Sequence, residues 1–252
     1  GDGTFVDVAP QVGLNHVGYV KGAAWGDVDN DGFIDLYVSQ FYQDNILYRN
    51  LGNKPEGWRF EAKTGVPGPT ESFPTWFWDY DNDGWLDLFA GGYKIDELSD
   101  IPRSYLGKDF TSDYSRVYHN DGDGTFTETT EALGVLDQVI LAMGANYGDL
   151  DNDGFPDCYL GTGLPDLRVL TPNRMLHNQG GTRFQDVTTA GGFGNVQKGH
   201  GVSFADMDND GDLDIFQVMG GAFEGDLYQN VLYENPGHGH RWLRLYPQGV
   251  ES

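Results

Sequence analysis

The chain has 252 residues, and 39 acidic side chains against 15 basic ones give it a formal net charge of -24. Because a surface this acidic repels nucleic acid and anionic membranes, we expect no nucleic-acid partner and no membrane insertion. Aromatic residues form 14% of the chain, which argues against a disordered polymer and leaves cations as the natural partner. The single cysteine, Cys158, excludes an internal disulfide and is predicted to be a small core residue.

The first predicted element is a Phe-containing strand at residues 3–8. Its sequence pattern matches that of the Phe-led strand that ends each later repeat, so it is interpreted as the last strand of a blade. The sequence begins without Met or a signal peptide, and we interpret it as a processed or excised piece.

A nine-residue loop, Asp-x-Asp-Asn-Asp-Gly-x-x-Asp, begins at Asp27 and recurs from Asp79, Asp149 and Asp206. These first aspartates are 52, 70 and 57 residues apart, a spacing typical of a repeat architecture. A stretch of small and aromatic residues precedes each loop, and a short apolar stretch follows it. Next comes a short segment that ends in Asn. A Gly-rich turn then leads to a segment that begins with Phe and completes the period.

Four short strands in each period describe one blade of a propeller. We therefore predict an all-β fold, a β-propeller built of four-stranded blades with calcium-binding loops. Four loops are visible, so either the first strand completes the last blade and closes a small ring, or the chain is part of a larger ring. No helix is predicted beyond a turn or two near residues 96–105, where Pro102 limits its length.

The second period carries an insertion at residues 93–116 that is rich in Asp and Tyr. Long loops on a rigid scaffold often carry the binding function, so the insertion is a candidate binding segment. The alternative is a surface excursion without a function of its own.

Carboxylates recur at positions 1, 3, 5 and 9 of each loop, and position 7 offers a backbone carbonyl. This pattern suits Ca²⁺, which takes six to eight oxygen ligands, and Gly at position 6 permits the turn. The flanking strands and the absence of Glu at position 12 exclude an EF-hand. The predicted ligands of about four structural Ca²⁺ ions are Asp27, Asp29, Asp31, Phe33, Asp35, Asp79, Asp81, Asp83, Trp85, Asp87, Asp149, Asp151, Asp153, Phe155, Asp157, Asp206, Asp208, Asp210, Asp212 and Asp214.

Other polar and aromatic groups leave alternatives open. Residues 120–124 are interpreted as a hairpin turn, with a weak extra ion as the alternative. His119 and His177 share one repeat position and are predicted at a strand end, without a catalytic role. For His238 and His240, in a Gly-rich turn, a metal role is the less favoured alternative. Four tryptophans either stack on sugars or pack between blades: Trp58, Trp76, Trp78 and Trp85.

These loops, each after a Gly/Ala-rich strand, resemble the calcium-binding FG-GAP and VCBS repeats of integrin α-subunits and many bacterial secreted proteins. Residues 172–178, 198–201 and 235–239 look more like the family that joins such repeats to an ASPIC/UnbV domain, related to cartilage acidic protein. The resemblance implies a secreted propeller at residues 1–236. Residues 237–252 are then its last strand or the start of an ASPIC/UnbV-like domain.

The favoured function is a non-enzymatic, calcium-binding interaction, adhesion or structural module that is secreted, periplasmic or at the cell surface. Its partner is expected to be a protein or a glycan. A carbohydrate-active propeller, either lectin or polysaccharide lyase, and a subunit of a larger surface assembly are the alternatives.

Overall fold

The structure, a computed structural model, describes residues 3–55, 57–134, 137–166, 168–169, 171–221, 224–225, 227–237 and 239. Strands dominate these residues, and two short helices accompany them, α1 (Ala9–Val12) and α2 (Asp100–Tyr105). The strands are β1 (Tyr19–Gly26), β2 (Asp35–Phe41), β3 (Ile46–Lys54), β4 (Gly57–Lys63), β5 (Ser72–Trp78), β6 (Asp87–Gly92), β7 (Arg116–Asn120), β8 (Phe126–Glu128), β9 (Ala142–Gly148), β10 (Asp157–Thr162), β11 (Arg174–Asn178), β12 (Phe184–Asp186), β13 (Gly199–Ala205), β14 (Asp214–Met219) and β15 (Val231–Tyr233).

The strands form four antiparallel sheets in which neighbours follow chain order: β1 to β4, β5 to β8, β9 to β12, and β13 to β15. The first strands of successive sheets, β1, β5, β9 and β13, pack side by side in that order. This arrangement confirms the predicted blades of an all-β propeller. Over the described residues the series of blades does not close into a ring.

The second strand of each blade shows how the blades stack. Leu36, Tyr37 and Val38 alternate across β2, and all seven residues of this strand are buried because blades are covered on both faces. Tyr37, Phe89 and Tyr159 hold the same repeat position in blades one to three, and each is fully buried. Their counterpart in the fourth blade, Phe216, is 37% exposed. The outer face of the fourth blade is therefore uncovered by the described residues.

The main core lies between the second and third blades, and two of the four predicted tryptophans belong to it. Trp76 stacks on Phe89 with ring centroids 4.0 Å apart, and Trp78 stacks on Phe184 at 5.6 Å. Both tryptophans are buried, which confirms packing between blades for this pair. Trp58, by contrast, is 49% exposed.

The prediction of a strand at residues 3–8 is wrong. This segment has no strand pairing, and the side chain of Phe5 is wholly exposed. The other Phe-led strands, such as β8 and β12, pair with the strand just before them across a short turn. After α1, Leu14 instead packs against the cluster of Leu36 and Tyr48 and covers the first blade.

The fourth blade has three strands within the part of the chain that is described. The predicted strand or appended domain at residues 237–252 lies almost wholly outside that part, as do His238 and His240, so these expectations stay predictions. A cavity of about 660 Å³ lies between Leu150 and Tyr233.

The insertion at residues 93–116 connects β6 to β7 within the second blade, is folded, and packs against the third blade. The helix α2 has six residues, within the limit of a turn or two that Pro102 sets. Tyr105 accepts a hydrogen bond from Nε of Arg174 at 2.9 Å, and the hydroxyl of Tyr93 donates to the carbonyl of Gly163 at 3.3 Å. The insertion therefore packs as a strap between blades and is no free excursion.

Asp100 fixes this strap, so its replacement by Ala is expected to destabilise the protein. Its buried Oδ2 accepts hydrogen bonds from the backbone N–H and hydroxyl groups of both Thr111 and Ser112, at 2.7–3.2 Å. Loss of a charged acceptor shared by four donors should cost about 2–4 kcal/mol of unfolding free energy. Chemical denaturation measures the change, and the exposed Asp109→Ala is the control. Equal stability of the two variants would contradict this role.

Candidate metal centres

Each Asp loop joins the first strand of a blade to the second, and its first Asp shapes the turn. In the first loop, Oδ1 and Oδ2 of Asp27 accept the N–H groups of Asp31 and Gly32 at 3.1 and 2.8 Å. Gly32 has a φ of 86°, which favours glycine, and Asn30 has a φ of 55°, which Asn tolerates better than most residues. Asp79 and Asp149 accept the corresponding N–H groups of their own loops.

The ninth Asp of each loop is buried and ties three parts of its blade together. In the third blade, Oδ2 of Asp157 accepts the N–H of Leu150 at 2.9 Å, and Oδ1 accepts the N–H of Asn178 at 2.7 Å. One carboxylate thus holds the loop, the second strand and the third strand. The same two bonds recur at Asp35, Asp87 and Asp214.

The loop carboxylates also converge on one another. In three triads, one carboxylate oxygen from each member lies within 4.8 Å of the others: Asp27, Asp29 and Asp35; Asp79, Asp81 and Asp83; Asp149, Asp151 and Asp157. Burial raises the pKa of Asp35 to about 6, and it raises the pKa values of Asp87 and Asp157 as well. Converging hard oxygen donors that are costly to ionise without a counter-charge fit a Ca²⁺ ion.

The fourth loop repeats part of this hydrogen-bond pattern. Oδ2 of Asp206 accepts the N–H of Gly211 at 3.2 Å, and Oδ1 of Asp208 accepts the N–H of Asp210 at 3.1 Å. At position 7 of every loop the backbone N–H donates to the fifth-position carboxylate, from Phe33, Trp85, Phe155 and Asp212. Ligation by the carbonyls of these four residues stays a prediction.

Sequence reasoning placed the two histidines at strand ends, and the structure turns them towards the loops. Nδ1 of His119 lies 3.4 Å from Oδ2 of Asp81 and 3.2 Å from Oδ1 of Asp87. Nε2 of His177 lies 3.1 Å from Oδ2 of Asp151. The same repeat position in the first blade is Arg49. The shared position of these residues, one before the Asn of the third strand, was the signal that sequence offered.

Asparagines link neighbouring loops across the blades, a role that sequence reasoning missed. The Asn at position 4 of each of the first three loops donates its side-chain N–H to the carbonyl of the sixth-position Gly in the next loop. The bonds run from Asn30 to Gly84, from Asn82 to Gly154 and from Asn152 to Gly211, at 2.8–3.3 Å. The recurrence of Asn at position 4 in all four loops was its signal.

A second set of asparagines points the opposite way. The Asn at the end of the third strand, or two residues after it in the fourth blade, donates to the second-position carbonyl of the preceding loop, at 2.7–2.8 Å. The pairs are Asn120 with Val28, Asn178 with Tyr80 and Asn235 with Leu150. Each blade junction therefore carries two side-chain bonds beside the Asp loops, so the order of a loop and the packing of its neighbours depend on each other.

Replacing Asn178 by Ala is expected to cost more stability than replacing Asn50 by Ala. Both side chains bond within their own blade, at 2.9–3.2 Å from the carbonyl at position 8 of the loop. Only Asn178 also reaches Tyr80 of the preceding blade. Loss of that bond leaves a buried carbonyl unpaired and should add about 1–2 kcal/mol. Parallel urea unfolding curves measure the difference, and equal losses would show that the junction bond is unimportant.

In the Gly-rich turn at residues 120–124, the acidic side chains accept hydrogen bonds from residues of the same hairpin. Asp123 accepts from the N–H and hydroxyl of Thr125 at 3.0 and 2.6 Å, and Asp121 accepts from the hydroxyls of Thr125 and Thr127. These bonds are those of a turn between β7 and β8, which favours the hairpin interpretation over an extra ion.

Comparisons with known proteins agree with the repeat. A family model described as an FG-GAP-like repeat matches residues 27–90, 105–160 and 159–216. Cartilage acidic protein 1 of Mus musculus is 30% identical over 201 residues, which are 79% of this chain and 26% of that protein. Cartilage acidic protein 1 of Xenopus tropicalis is 28% identical over 120 residues, 48% of this chain and 16% of that protein. The chain thus spans about a quarter of the mouse relative. The matched repeats cover most of the chain, which belongs to the FG-GAP-like repeat family.

Proposed function

We propose that this chain is a calcium-stabilised, non-enzymatic interaction module of extracellular type. The observation that carries the proposal is the convergence of carboxylates in loops that lie at the blade junctions. In its simplest form the proposal gives one Ca²⁺ to each loop, four in all, held by the first, third, fifth and ninth Asp and by the carbonyl at position 7.

Bound Ca²⁺ supplies the positive charge that these carboxylates lack among themselves. Without it, a loop such as Asp79 to Asp87 brings four acids together in a chain whose net charge is already -24. With it, the loop is held in one conformation, and the Asn bonds to the neighbouring loops are held too. Binding and folding are then coupled, because the cluster exists only in the folded state.

An extracellular location suits solvent-exposed sites of this kind, since extracellular calcium modules work at roughly 10⁻⁴–10⁻³ M Ca²⁺. The described residues contain no helix long and apolar enough to cross a membrane. The proposed partner is a protein or a glycan, and the module is proposed to act in adhesion or as a subunit of a larger surface assembly. The domain division at residue 236 is part of this proposal.

A carbohydrate-binding role is the second candidate. It is favoured by exposed indole rings on the first blade, where Trp25 is 58% and Trp58 is 49% exposed. Such rings offer flat apolar faces with a polar edge, which suits stacking on sugars. A glycan array would separate this candidate from a protein-binding module, and loss of a signal in Trp58→Ala would assign the surface.

Elemental analysis of the purified protein tests the calcium proposal. The protein is dialysed against buffer with a defined free Ca²⁺ concentration of about 5 mM, above the range in which extracellular calcium modules bind, and a larger amount of Mg²⁺. We expect calcium to remain bound in whole-number amounts per chain, because flexible oxygen sites select Ca²⁺ over Mg²⁺. A protein that holds no calcium under these conditions would exclude the proposal.

A further inference from the structure

The four Asp loops share one sequence motif, but the residue before the recurring Asn at or after the third strand differs from blade to blade, and in the first three blades it faces the loop acids. This residue directly precedes the Asn that ends the strand phrase. It is Arg49 in the first blade, His119 in the second, His177 in the third and Glu234 in the fourth. One position therefore carries four side chains of three different charge types beside otherwise similar clusters.

Arg49 reaches into the first cluster and contacts two of its carboxylates. Its Nη2 pairs with Oδ2 of Asp29, and its Nε lies 3.3 Å from Oδ1 of Asp35. The guanidinium side chain is only 13% exposed, so water screens these contacts weakly. Asp29 and Asp35 are two of the three members of the converging triad in this loop.

A guanidinium cannot share such a cluster with Ca²⁺ as an imidazole can. It stays charged and has no acceptor atom, so it repels a cation and cannot become a ligand. A neutral imidazole has a free nitrogen lone pair and adds no positive charge. An imidazole can release its proton to solvent and offer a ring nitrogen as a ligand, so His119 and His177 leave their clusters open to a cation, whereas Arg49 already supplies the positive charge that the first cluster needs.

We propose that the first loop is neutralised by Arg49 and takes no Ca²⁺ at concentrations that fill the other loops. The inference rests on the proposed calcium function and narrows it from four ions to three. The first blade is then held by an internal salt bridge that is independent of calcium, and the later blades are held by ions.

Exchange of the residues that the sibling blades carry tests this proposal. Arg49→His should open the first loop and raise the calcium count by one. His119→Arg should close the second loop and lower the count by one, with an affinity loss of at least about 100-fold at that site. Arg59→His is the matched control, because Arg59 is an exposed residue of β4 in the same blade and the charge change is identical.

Equilibrium dialysis with ⁴⁵Ca²⁺ at pH 7.4 gives the counts, and near-UV circular dichroism shows that each variant is folded. We expect three ions for the natural chain and Arg59→His, four for Arg49→His and two for His119→Arg. A natural chain with four ions of similar affinity would overturn the inference while leaving the calcium function intact. A chain that binds no ion would overturn both. If Arg49→His does not fold, an unchanged count in His119→Arg still overturns the inference.

Discussion

Replacing Asp157 by Asn is expected to lower the melting temperature of the protein by about 10 °C in EDTA, and by more with calcium, where a proposed ligand is lost as well. Asp157 is 1% exposed, and its two oxygens accept the N–H groups of Leu150 and Asn178. An amide of the same shape keeps one acceptor and turns a donor towards the other N–H. That leaves a buried N–H without an acceptor, at a cost of about 3–5 kcal/mol for the loop and both strands together.

Asp153→Asn in the same loop is the matched control. Asp153 is exposed at position 5 of the loop. Its carboxylate accepts one backbone hydrogen bond among the described residues, from the N–H of Phe155. In EDTA this variant should melt within about 2 °C of the natural chain. With calcium it should lose part of the stabilisation by the ion. If Asp157→Asn and Asp153→Asn had the same melting temperature in EDTA, the ninth Asp would act only as a calcium ligand and its hydrogen bonds would not hold the strands together.

The metal-free protein is expected to become less stable as the pH rises, and the calcium-loaded protein is expected to become more stable. Burial raises the pKa values of Asp87 and Asp157 from 3.8 to about 7, so the folded chain binds protons in a range where the unfolded chain has released them. Stability from such groups is complete below the unfolded pKa and is lost as the pH rises through the folded one.

In EDTA we therefore expect the melting temperature to fall by about 10 °C between about pH 4 and pH 7. In excess calcium the slope should reverse, because Ca²⁺ competes with protons for the same carboxylates. Scanning calorimetry over this range at constant ionic strength measures both curves. Parallel curves with and without calcium would show that the buried carboxylates are not linked to the ion.

The blades and the loops could be predicted because the signal recurs. Four copies of one Asp spacing, each between a small-aromatic run and an apolar run, leave few folds other than a propeller. The limit of a turn or two near Pro102 also holds for α2, whereas the single turn of α1 was not predicted. The acids of the proposed sites stand out in the sequence for the same reason, since alternating oxygen donors have few other uses.

The errors and omissions came from residues whose role depends on a neighbouring blade. Residues 3–8 carry the sequence pattern of a fourth strand, but they pair with no strand among the described residues. The side chains of Asn30 and Asn178 act between blades, so no single period shows their acceptors. Arg49 resembled a strand-end residue until its guanidinium was placed against Asp29 and Asp35. A repeat pattern predicts the features that all blades have in common, whereas the contacts between blades are seen only in the three-dimensional structure.

The most direct test of calcium as the element that holds the blades together is a thermal melt of one sample in EDTA and after back-titration. Ligand binding at 100 times its dissociation constant stabilises by about 2.7 kcal/mol per site, so several filled loops should raise the melting temperature by roughly 15 °C or more. We predict that Ca²⁺ restores the higher transition and that equal Mg²⁺ does not. An unchanged melt in EDTA, calcium and magnesium would contradict the account.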